Sequence, residues 1–103
     1  MAFPIYVSSK ETKERIPEIL QAQNIQVKSV DFPKEFADMR AFSFMCSRGL
    51  GRIDLFGHFD ADTENYELFM TVTHAVFWCS DMKLIKRVNQ ILLRNGVSYK
   101  NLK

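Results

Sequence analysis

The side chains able to do acid–base, nucleophilic or metal chemistry are few in this 103-residue chain: His58, His74, Cys46 and Cys79. A neutral imidazole serves as a general base or a metal ligand when a second group is held beside it. Neither histidine stands in a His-Glu-x-x-His run, and no second ligand lies near either one in sequence. Cys46 and Cys79 are too few and too far apart for a thiolate metal cluster, and read as reduced, partly buried thiols. Sequence alone leaves a disulfide between them open. Asp60, Asp62 and Glu64 place oxygen ligands at alternate positions, as in the first half of a calcium loop. Asn65 then stands where that loop needs glycine, and Thr71 where it needs a bidentate glutamate, so the segment reads as a solvated turn. No phosphate loop, dinucleotide fingerprint or Gly-x-Ser-x-Gly is present. The expectation is no catalytic residue, no metal and no cofactor. An enzyme using His58 or His74 with a nearby acid is kept as an alternative.

These residues must be positioned by a small set of elements. Residues 3–7 alternate apolar and polar, with Pro4 confining the strand to an edge or a strand start. Ser8 and Glu11 form a Ser-x-x-Glu capping box for a helix that ends near Asn24. Pro17 inside it predicts a kink, or a start pushed toward Thr12. Residues 25–32 read as a strand with a phase slip near Ser29, which predicts a bulge or a strand end. Residues 41–47, 52–59 and 66–74 alternate strongly and read as an antiparallel meander. Residues 75–79 either extend the last strand or cross to a closing helix. Ser80 is its expected N-cap, Asp81 favours its positive end, and Gly96 is its natural stop. Leu84, Ile85, Val88, Ile91 and Leu92 make its apolar stripe. Residues 97–103 read as a frayed tail.

The predicted fold is one α+β domain over residues 1–103. About four antiparallel strands, or five with the N-terminal edge strand, carry both helices on one face. Hydrophobic residues at 47% and charged residues at 25% match an ordinary globular chain and exclude a disordered one. Residues 1–7 lack the basic start of a secretory leader, and no apolar run approaches a membrane span. A cytoplasmic protein with no membrane partner is expected. Charge is segregated: residues 53–81 carry six acids and no Lys or Arg, and residues 82–103 carry six Lys or Arg and no acid. The basic segment reads first as a solvated helix face; the alternatives are attraction to the acidic segment, within one molecule or across a dimer, and contact with nucleic acid or anionic lipid.

Two family resemblances bear on function. Ile5-Tyr6-Val7-Ser8 and Arg40-Ala41-Phe42-Ser43-Phe44-Met45 resemble the two strand motifs of an RNA-recognition motif. Over residues 5–47 this implies single-stranded RNA binding, with bases stacked on Tyr6, Phe42 and Phe44 and phosphate met by Arg40. It requires Phe42 and Phe44 to face outward. Over residues 9–96 the element order, with Arg87-Val88-Asn89-Gln90-Ile91-Leu92 in the closing helix, resembles the type III secretion-chaperone fold and the YbjN-like domains that share it. That resemblance implies a dimeric binder of other polypeptides.

Large apolar residues fall on both strand phases, more than two helices can cover. The favoured reading is therefore a non-enzymatic protein-interaction module of chaperone, immunity or adaptor type. It would be a homodimer, with Phe56, Phe69 and Phe77 on an aromatic sheet face as the partner-binding residues. RNA binding through Tyr6, Arg40, Phe42 and Phe44 is the second reading.

Overall fold

A computed structural model describes residues 3–30, 40–72 and 75–100. The elements are β1 (Tyr6–Ser8), α1 (Lys10–Gln21), β2 (Gln26–Val30), β3 (Phe42–Arg48), β4 (Gly51–Asp60), β5 (Asn65–Thr71), α2 (Trp78–Arg94) and β6 (Ser98–Tyr99). The strands form one antiparallel sheet in the order β2-β3-β4-β5-β1-β6. The α+β class and the β3–β4–β5 meander agree with the sequence reading, but among the described residues the sheet has six strands. The sixth comes from the expected frayed tail. Ser98 pairs with Val7, Tyr99 with Tyr6, and the Lys100 amide donates to the Ile5 carbonyl at 2.8 Å. β1 is thus an interior strand, with Pro4 just outside its ladder.

Strand alternation divides the sheet into two faces. Tyr6, Phe44, Cys46, Ile53, Leu55, Tyr66, Leu68 and Met70 are buried with the apolar stripes of both helices: Ile16, Ile19 and Leu20 from α1, and Leu84, Ile85, Val88, Ile91 and Leu92 from α2. At one end of this core Phe42, Phe44, Phe59 and Tyr66 form a ring cluster with centroids 5.2–5.8 Å apart. Gly57 leaves room for it, since a Cβ there would come within 2.3 Å of the Phe42 ring.

Two local expectations change and a third is resolved. The cap of α1 is Ser9, whose Oγ accepts the Thr12 amide hydrogen at 3.2 Å. Ser8 is instead paired with Tyr66 in the β1–β5 ladder and buried. α1 starts at Lys10 and runs through Pro17, because the apolar face of Ile16, Ile19 and Leu20 is wholly buried and offsets the lost donor. Across β2 the register Gln26–Ser47 to Val30–Ser43 is regular, and the strand ends at Val30, so the phase slip near Ser29 marks a strand end and not a bulge.

The start of α2 also differs. Residues 75–77 form one 3₁₀ turn and the helix begins at Trp78, ahead of Ser80. Asp81 Oδ1 accepts the Arg52 amide hydrogen at 2.8 Å, so its carboxylate ties the helix to β4. Gly51 makes that approach feasible: a Cβ there would stand 2.6 Å from the Ser80 carbonyl oxygen. Gly51→Ala is expected to cost about 1–3 kcal/mol of stability, the range for forced overpacking. Urea unfolding reads this, and an unchanged midpoint would show that strand and helix do not meet there. At its other end α2 stops as expected at Gly96 (φ +90°), with the Val97 amide donating to the Leu92 carbonyl at 3.1 Å.

Candidate interaction surfaces

The second phase of the strands points away from both helices. One cross-strand row there runs Val30, Ser43, Phe56, Phe69. Phe56 and Phe69 stack with centroids 5.4 Å apart and an interplanar angle of 28°, and Phe69 is 38% exposed. Phe77, expected on the same sheet face, is not on a strand. It lies in the 3₁₀ turn before α2 and lines a separate cavity with Leu50 and Asp81.

The next row holds a charged cluster. His58 pairs with Glu67 across β4 and β5, Nε2 to Oε2 at 3.3 Å. Lys100 Nζ donates to Glu67 Oε1 at 2.5 Å. That hydrogen bond is the main cause that raises the lysine above its ordinary range. Here the acidic middle of the chain meets its basic end within one molecule. The sequence marked His58 but not Glu67 or Lys100. Alternation and the short Asp60–Asn65 hairpin would have found Glu67, whereas Lys100 needs β6. Four pronounced cavities among the described residues lie elsewhere, and neither His58 nor Glu67 lines them. His74 lies outside the described residues.

The residues expected to stack RNA bases turn the other way. Tyr6 is 1% exposed and Phe44 is 8% exposed, and Phe42 packs against the same core. The Tyr6 hydroxyl donates to Asn89 of α2, and so does that of Tyr99. Burial, reinforced by Tyr99, pushes the Tyr6 hydroxyl up to about 12. Arg40 lies over the Phe59 ring at 4.6 Å, and Lys13 over Phe42 at 4.5 Å. Together these residues therefore form no stacking platform. The physical reason is the phase of β3: its other face offers Ser43, Met45 and Ser47, which would fill the core poorly.

The cysteines are both free, Cys46 buried and Cys79 exposed. The Asp60 carboxylate accepts the Asp62 amide hydrogen at 3.0 Å, closing the β4–β5 turn on itself. Among the described residues no three His, Cys, Asp or Glu side chains converge as metal ligands. Among them, too, no helix is long and apolar enough to cross a membrane. No protein-family model, curated protein or solved structure matches the chain.

Proposed function

We propose that this chain is a non-enzymatic protein-interaction module that pairs with a second copy through the sheet face opposite α1 and α2. The stacked Phe56–Phe69 pair carries the reading, since it holds aromatic surface on the one sheet face that neither helix packs against. A two-fold pairing sets the row from Val30 to Phe69 against its own copy, as closed dimers do. Glu67, with His58 and Lys100 on it, supplies a polar margin beside that row. A chaperone or adaptor role in the cytoplasm fits such a dimer.

Sedimentation of the wild type at micromolar concentration is expected to show a dimer. Phe69→Glu sets a charge in the apolar row and is expected to weaken the dimer at least tenfold, since each 1.4 kcal/mol is a factor of ten. Phe69 is partly exposed, so at concentrations low enough that both proteins are monomeric the melting temperature should hold nearly constant. A wild type that stays monomeric, or a Phe69→Glu protein that dimerises equally well, overturns the proposal.

A further inference from the structure

The β3–β4 turn and the first turns of α2 enclose two adjoining cavities, of 390 and 460 Å³, that share Gly49 and Leu50. Val76, Phe77 and Asp81 line the first, and Arg48, Lys83 and Arg87 line the second. Leu50 is 63% exposed and Val76 is 78% exposed, so large apolar side chains stand in water at this end of the molecule. Among the described residues Arg48 and Lys83 enter no ion pair, and Arg87 makes one long hydrogen bond, 3.4 Å to Gln23. Asp81 is the one acid lining either cavity. It is 1% exposed, Oδ1 accepts from the Arg52 amide, and Oδ2 is buried with no partner.

We propose that this groove docks an acidic peptide segment of a partner protein. One apolar side chain of the peptide seats against Leu50, Val76 and Phe77. Its carboxylates pair with Arg48, Lys83 and Arg87. Charge complementarity selects the occupant, because among the described residues Arg48 and Lys83 have no anionic partner, and Asp81, the one acid lining either cavity, is already held by a backbone amide. The unpaired Oδ2 favours a peptide over an acyl chain, since a peptide brings N–H donors and a lipid tail brings none. An anchor in a pocket with charges beside it is a recurring mode of short-peptide recognition. The site is separate from the Phe56–Phe69 row and does not depend on the pairing of two copies.

The test is a phage-displayed library of random peptides panned on the immobilised full chain. Recovered peptides are expected to place acidic residues around a Leu, Phe, Met or Trp. A synthetic copy of the most enriched peptide, followed by fluorescence anisotropy, should bind at least tenfold more weakly to K83E/R87E and to Leu50→Ser. These side chains are all exposed, so the variants should melt as the wild type does. Phe69→Glu should bind the peptide unchanged, which separates this site from the dimer face. No enrichment, enrichment of basic or neutral peptides, or equal binding by K83E/R87E overturns the proposal. So does tighter binding to phosphatidylserine vesicles or to a single-stranded RNA oligonucleotide than to the peptide.

Discussion

Phe44→Ala is expected to lower the unfolding free energy by about 3–5 kcal/mol, the range for removing a buried aromatic ring. Phe44 sits between Ser29 and Leu55 in the ladder and faces the helices, tilted against Phe42 at 5.2 Å. Its removal opens a hole among Phe42, Leu55 and the helix stripes that rigid neighbours fill only in part. Small domains hold about 5–15 kcal/mol in all, so Phe44→Ala leaves little margin. Phe44→Leu is the milder companion, expected to lose less and stay folded. Phe69→Ala, on the opposite face and partly exposed, should lose far less than Phe44→Ala. Guanidinium unfolding of the three variants ranks them. If Phe44→Ala and Phe69→Ala cost the same, the assignment of the two faces is wrong, and Phe44 becomes available to stack a base.

That ranking bears on why strand alternation alone left the direction of Phe42 and Phe44 open. A period of two shows that Phe42, Phe44 and Cys46 share a face, but not which face the helices cover. The choice is made by the whole sheet. Ile53, Leu55, Leu68 and Met70 align with Phe44 through the registers of β3, β4 and β5, and only that phase is apolar on every strand. A one-residue slip of β3 would bring Ser43, Met45 and Ser47 under the helices. Phe56 and Phe69 were legible for the complementary reason, as large rings on the phase with Asp54, His58 and Glu67. The stripe of α2 and its stop at Gly96 were legible because both are local signals of the chain itself.

What the sequence hid depends on distant partners. Ser98–Tyr99 is too short for any periodic signal, and it becomes a strand only because β1 offers a free edge and Asn89 an acceptor for Tyr99. Ser80 and Asp81 look like a helix cap. The Asp81 carboxylate is drawn away by the Arg52 amide, 29 residues earlier, which lets the helix begin at Trp78. The same contact creates the groove, for it brings the Leu50 turn to Val76, Phe77 and Lys83. No spacing rule links those four residues along the chain.

Alkaline titration should destabilise the protein well before general denaturation. Burial, with Asp54 adding to it, pushes the Cys46 thiol from its ordinary value near 9 up to about 12. Tyr6 is pushed from near 10 to about 12 by burial and then by Tyr99. In both groups the fold favours the neutral, protonated form. Below pH 9 folded and unfolded chains hold these protons alike, and the full stability is present. Above it the unfolded chain releases the Cys46 proton while the folded chain keeps it, so stability falls by about 1.4 kcal/mol per pH unit. Above pH 10 Tyr6 joins and the slope roughly doubles, giving a loss on the order of 4 kcal/mol by pH 11. Lys100, raised by its hydrogen bond to Glu67, acts in the same direction, because its stabilising charge is lost as pH rises. The measurement is urea unfolding at steps from pH 8 to 11 with a reductant present. Cys46→Ala lowers stability throughout but should flatten the first segment, between pH 9 and 10. Tyr6→Phe should flatten the additional slope above pH 10. A wild-type stability that is level to pH 11, or a Cys46→Ala protein that keeps the full slope from pH 9, means that Cys46 ionises freely and does not lie in a closed core.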